Sequence, residues 1–129
     1  MHHYGFATDD IERSEAAYAV LGYVRSSEII TDKIQNVKLL FLRRDDTPLL
    51  ELVEPLSESS PVSAIIKKNK PTLYHSCFEV DNIDESIAEL KQKRFVLVSQ
   101  PVPAIAFNNR RICFLFHKHT GLIELLEKE

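Results

Sequence analysis

Three features are missing from this chain of 129 residues. No apolar run approaches the roughly 20 residues of a membrane-spanning helix, and no charged-then-apolar leader precedes the first strand-like segment. The expectation is a soluble, cytoplasmic protein with no membrane partner. There is no basic arm, and the net charge is −3. Phosphate contacts need a basic surface, so no nucleic-acid partner is expected. Cysteine is scarce, and Cys77 and Cys113 lack metal-type spacing. Both sit in apolar, strand-like runs, which predicts buried free thiols rather than a disulfide.

What is present is enough apolar residue, 44%, to build one core. It is arranged as a repeat. His3-Tyr-Gly-Phe6-Ala-Thr-Asp9-Asp-Ile11-Glu-Arg-Ser14 returns 72 residues later as His75-Ser-Cys-Phe78-Glu-Val-Asp81-Asn-Ile83-Asp-Glu-Ser86, with five of twelve positions identical. Chance would give about one. Leu50-Glu51-Leu52-Val53-Glu54 returns after 73 residues as Ile123-Glu124-Leu125-Leu126-Glu127, and Phe41-Leu42 as Phe114-Leu115.

Each half parses as strand, helix, then three strands. His3 to Thr8 has strand composition, Asp9 stands as a cap with Glu12 three residues on, and a helix with an apolar stripe at Ile11, Ala16, Ala17, Val20 and Leu21 runs to Gly22. Strands are predicted over 23–30, 37–42 and 49–53. Ser60 and Pro61 start a short connecting helix over 62–68. The second half repeats the order: a strand over 73–80, Asp81 as cap, a helix over 83–93, and strands near 95–98, 111–116 and 122–126. The fold class expected is α+β, a single domain over 1–129. It consists of two tandem βαβββ modules (about 1–56 and 71–129) joined by a linker helix (about 57–70), forming a curved, pseudo-twofold sheet around a central metal cavity.

Strand parity says where the polar residues point. Side chains alternate, so His3 faces away from Phe6 and His75 away from Phe78 and Val80. Phe6 and Phe78, with Ile11 and Ile83, are expected to build the two cores. Glu51 and Glu124 are each flanked by aliphatic residues that need burial, which puts the carboxylates on the opposite face. A carboxylate in such a run is costly unless paired or bound to a cation. Two imidazoles and two carboxylates suit a divalent ion such as Zn²⁺, Co²⁺, Ni²⁺ or Mn²⁺. Glu54 and Glu127 repeat as well, but fall on the other face. His117 and His119 read as a solvated turn. Arg43-Arg44 and Arg110-Arg111 stand at strand ends, where a cation either grips an anionic substrate or is solvated. Lys67, Lys68 and Lys70 read as a polar helix face or as contacts to a nucleotide phosphate.

These openings, the paired glutamate strands and the duplication resemble the vicinal oxygen chelate superfamily of glyoxalases, bleomycin-resistance proteins and extradiol dioxygenases. Glu51-Leu-Val-Glu-Pro55-Leu-Ser-Glu-Ser-Ser-Pro61-Val and Tyr74-His75-Ser-Cys-Phe-Glu-Val80-Asp resemble most its methylmalonyl-CoA epimerase branch. The resemblance implies a metal held by His3, Glu51, His75 and Glu124, with Glu124 or Glu51 also acting as base. It implies an epimerase that removes a proton alpha to a carbonyl through a metal-stabilised enolate. The alternatives are a glyoxalase I-like lactoylglutathione lyase or a non-catalytic antibiotic-binding protein. The substrate would be an acyl-thioester or a thiol hemithioacetal, and the partner a second copy in a homodimer. Ala104-Ile-Ala-Phe107-Asn-Asn-Arg110 departs from that branch, so substrate identity is expected to lie in 101–111.

Overall fold

The computed structural model describes residues 1–129 and has the mixed α+β architecture expected. It divides into two compact units, His3–Tyr74 and His75–Glu129, the latter including Met1–His2. In the first unit, β1 (His3–Ala7) is followed by α1 (Ile11–Val20), β2 (Val24–Arg25), β3 (Ile30–Asp32), β4 (Val37–Arg43), β5 (Leu49–Pro55) and α2 (Pro61–Asn69). β1 runs parallel to β5, β5 antiparallel to β4, and β2 and β3 both pair with β4. β6 (Thr72–Val80) carries the chain into the second unit. There α3 (Ile83–Gln92), β7 (Val96–Leu97), β8 (Val102–Ala104), a 3-10 turn (Ile105–Phe107), β9 (Arg110–His117) and β10 (Gly121–Glu127) follow. β6 is parallel to β10, and β9 pairs antiparallel with β10, β7 and β8.

Each unit buries one face of its sheet against its helix. Leu40, Leu42, Leu50 and Leu52 pack with Ile11, while Cys113, Leu115, Ile123 and Leu125 pack with Ile83 and Ile87. The linker helix starts as predicted: the Ser60 hydroxyl accepts the Val62 N–H, and Pro61 is its first residue. Gly22, at φ +96°, is the left-handed stop after α1. Both cysteines are buried and neither is in a disulfide, as expected.

Four expectations are corrected. The caps are Asp10 and Asn82, one residue later than Asp9 and Asp81. Helices that open at Ile11 and Ile83 place those later side chains within reach of the N–H groups of Arg13 (3.1 Å) and Glu85 (3.0 Å). The strand predicted over 23–30 is broken. Ser26 N–H donates to the Phe41 carbonyl, but Phe41 N–H then donates to the Ser27 hydroxyl, at 3.0 Å, in place of a backbone carbonyl. The same substitution shortens the strand predicted over 95–98, where Phe114 N–H donates to the Ser99 hydroxyl at 3.1 Å. Finally, Phe78 is 37% exposed and lies outside the core. Phe6 meets Tyr18 of α1 edge-on at 5.5 Å. The repeat-equivalent residue of α3 is Leu90, which packs in with Val80, Phe95 and Leu97 and gives Phe78 no aromatic partner.

Candidate functional site

In the first unit the structure brings His3 and Glu51 together, and in the second His75 and Glu124. All four are buried. Parity accounts for this. Leu50 and Leu52 point to α1, as Ile123 and Leu125 point to α3, so the glutamate between them faces the other way. On that opposite face, register sets Gly5, Glu51 and Phe41 side by side across three strands of the first unit. Cys77, Glu124 and Phe114 are their counterparts in the second.

The two pairs share their geometry. His3 Nε2 lies 3.5 Å from Glu51 Oε1, and His75 Nε2 lies 3.2 Å from Glu124 Oε1. A charge-assisted N–H to carboxylate bond is about 2.7–2.9 Å long. Two donors bound at about 2.1 Å to one ion, at tetrahedral or octahedral angles, are instead about 3.0–3.4 Å apart. The His75–Glu124 spacing falls within that range and the His3–Glu51 spacing 0.1 Å beyond it, and the donor chemistry of imidazole nitrogen beside carboxylate oxygen suits a divalent ion. Each imidazole meets a phenyl ring edge-on: Phe41 at 5.7 Å from His3, and Phe114 at 5.3 Å from His75. These rings wall the polar pairs with apolar surface. Burial first, and the nearby Glu124 carboxylate second, push the Cys113 thiol up to about 12.

Other sequence candidates have structural roles. Arg111 bridges Glu127 (3.0 Å) and Asp84 (3.0 Å). Arg110 reaches Glu79 at 3.3 Å and lies over the Phe107 ring, 5.8 Å from its centroid. His117 Nδ1 accepts the His119 N–H at 3.0 Å within the exposed turn. Two repeated devices escaped the sequence reading. Glu54 accepts the Ile11 N–H at 2.8 Å, and Glu127 the Ile83 N–H at 2.9 Å, each tying a glutamate-bearing strand to the start of a helix. Ser27 and Ser99 hold the amides of the two phenylalanines. Both devices recur at the spacing of the repeat, which was the available signal.

Comparison with known proteins places this architecture. The family model of the Glyoxalase/Bleomycin resistance protein/Dioxygenase superfamily matches residues 2–114. The mitochondrial methylmalonyl-CoA epimerase of Homo sapiens is 31% identical over 128 residues, covering 97% of this chain and 72% of the relative. The crystal structure of methylmalonyl-CoA epimerase from Mycobacterium tuberculosis superposes with a TM-score of 0.84 at 25% identity, over 99% of this chain and 87% of the other. A variant of the Streptomyces coelicolor methylmalonyl-CoA epimerase, in complex with 2-nitronate-propionyl-CoA, gives 0.84 at 27% identity, over 99% and 93%.

Proposed function

The chain belongs to the Glyoxalase/Bleomycin resistance protein/Dioxygenase superfamily, and from that premise we propose that it is an epimerase of a carboxylated acyl thioester, of the methylmalonyl-CoA type. The observation that carries the reading is the duplicated, buried pair of imidazole and carboxylate, His3 with Glu51 and His75 with Glu124. Support comes from epimerase relatives that match nearly the whole chain.

In this reading His3, Glu51, His75 and Glu124 would together hold one divalent ion. The ion, once bound, supplies a Lewis acid for the negative charge that develops on the carbonyl oxygen. The remaining work falls to side chains. Phe41 and Phe114, with the buried aliphatic strands around them, keep water from the reacting carbon. Glu124 or Glu51 takes the proton alpha to the carbonyl on a carboxylate oxygen. Inversion needs the proton returned on the opposite side of the carbon, and the duplication provides a second carboxylate.

The test is turnover of a single epimer of methylmalonyl-CoA in D₂O by metal-loaded protein. The expected result is inversion with deuterium entering at C2. No exchange at C2, together with consumption of a methylglyoxal–glutathione hemithioacetal, would replace this reading with a lyase.

A further inference from the structure

Within each unit, the edge of the sheet gives up its backbone ladder for a serine where it passes the phenylalanine beside the His–Glu pair. In the first unit, Ser26 N–H donates to the Phe41 carbonyl at 2.8 Å, and Phe41 N–H donates to the Ser27 hydroxyl at 3.0 Å. That hydroxyl donates its own proton to the Glu28 carbonyl at 2.8 Å, which leaves a lone pair for the Phe41 amide. In the second unit, the N–H groups of Val98 and Ser99 both donate to the Phe114 carbonyl, at 2.8 and 3.4 Å, and Phe114 N–H donates to the Ser99 hydroxyl at 3.1 Å. Two residues there oppose one, as in a β-bulge, a device that re-aims a side chain.

A serine at the end of a strand ordinarily satisfies an amide and does nothing more. Two observations set this pair apart. Ser27 and Ser99 stand 72 residues apart, the shift that relates His3 to His75, whereas the positions before them have diverged to Ser26 and Val98. The amides they hold also belong to particular residues. Phe41 meets the His3 imidazole at 5.7 Å with an interplanar angle of 77°, and is in register with Glu51. Phe114 meets the His75 imidazole at 5.3 Å and 82°, and is in register with Glu124. Each phenylalanine thus lies beside both members of its own pair, and each serine holds that phenylalanine by its backbone.

We propose that Ser27 and Ser99 are positioning residues, which fix the orientation of the His3 and His75 imidazoles by way of Phe41 and Phe114. The inference rests on the metal-centre reading above and adds how the ligand rings are held. An imidazole turns easily about its Cβ–Cγ bond, a broad and roughly twofold torsion. A phenyl ring packed nearly at right angles to it limits that turn. The phenyl ring can do so only if its own backbone is fixed, and the serine hydroxyl supplies the bond that the interrupted ladder does not.

The experiment measures Co²⁺ binding to metal-free protein, with affinity as one readout and visible absorption, which follows ligand geometry, as the other. Ser27→Ala and Ser99→Ala should each weaken binding about tenfold, the lower end of what residues supporting metal ligands contribute, and shift the absorption band. Ser99→Thr should restore both readouts. Ser60→Ala, which removes a hydroxyl–amide bond from α2, should move neither. In a Phe114→Leu background, Ser99→Ala should add no further loss, because the serine acts through the ring. Unchanged affinity and spectrum in a serine-to-alanine variant overturn the assignment for that serine and leave the metal centre standing. So does a Ser99→Ala effect that persists undiminished beside Phe114→Leu, or an equal loss in Ser60→Ala. A wild type that binds no Co²⁺ removes the metal centre, and this inference with it. Melting temperatures identify any variant that does not fold; if Ser99→Ala is one, the isosteric pair Ser99→Thr and Ser99→Val makes the same comparison.

Discussion

Glu127 accepts the backbone N–H of Ile83 at 2.9 Å and binds Arg111 through both carboxylate oxygens. One side chain thereby joins β10, β9 and the first residue of α3. Arg111, and then the Ile83 N–H, hold the Glu127 carboxyl below the usual carboxylate range. Its folded value is depressed, so its contribution to stability is present above the unfolded value and is lost as pH falls through the folded one. Glu127→Ala should cost about 1–2 kcal/mol at pH 7. The difference from wild type should narrow below about pH 4.3, where an unfolded glutamate protonates. Urea denaturation at a series of pH values checks both statements, and a deficit that persists unchanged into acid would contradict them.

The repeated glutamates of β5 and β10 divide into two kinds. Glu51 and Glu124 face the site, whereas Glu54 and Glu127 bond helix amides. Glu124→Gln and Glu51→Gln should each lower kcat by at least about a hundredfold, the contribution of a positioned acid or base. Glu54→Gln can still accept the Ile11 N–H and should keep kcat within a few-fold. Equal losses in all three would show that the strand, and not the carboxylate facing the site, matters.

Leu52 and Leu125 are equivalent core residues, one in each unit, with 0% and 3% exposure. Truncation of either to alanine should cost about 2–5 kcal/mol, as buried leucines do elsewhere. Denaturant unfolding with an unchanged m value would show that the loss lies in packing.

Cys77 and Cys113 are both fully buried, and burial raises the Cys113 thiol further. A thiol reagent at pH 8 should modify neither cysteine in the folded protein and both in denaturant, because the thiolate is the reacting form. Rapid labelling of either in the native state would contradict the packing of β6 or β9.

Much of this architecture is legible from sequence because its signals are local and occur twice. The aliphatic neighbours of Glu51 and Glu124 need burial, and period-two alternation then leaves each carboxylate one choice of face. Ser60 and Pro61 mark the start of α2 without help from tertiary structure. The misplaced features depend on partners distant in sequence. In Asp9-Asp10 and Asp81-Asn82 two capping residues stand in a row, and only the position of the first helical turn selects the second. The Ser27 and Ser99 hydroxyls interrupt strand pairing only once β4 and β9 lie beside them. Phe78 repeats Phe6 in letter but not in environment, because α3 has Leu90 where α1 has Tyr18. In the segment over 101–111, Arg110 reaches Glu79 and lies over the Phe107 ring, partners that the local sequence does not announce.

In the proposed function the two His–Glu pairs of the two modules would act as one metal centre. The most direct test of that claim is the number of divalent ions bound per chain, measured by equilibrium dialysis and elemental analysis on protein without a histidine tag. One ion per chain is predicted for wild type. Each of His3→Ala, Glu51→Gln, His75→Ala and Glu124→Gln should weaken binding of that ion. Two ions per chain, with one retained when either pair is destroyed, would contradict the claim, as would a wild-type protein that binds none.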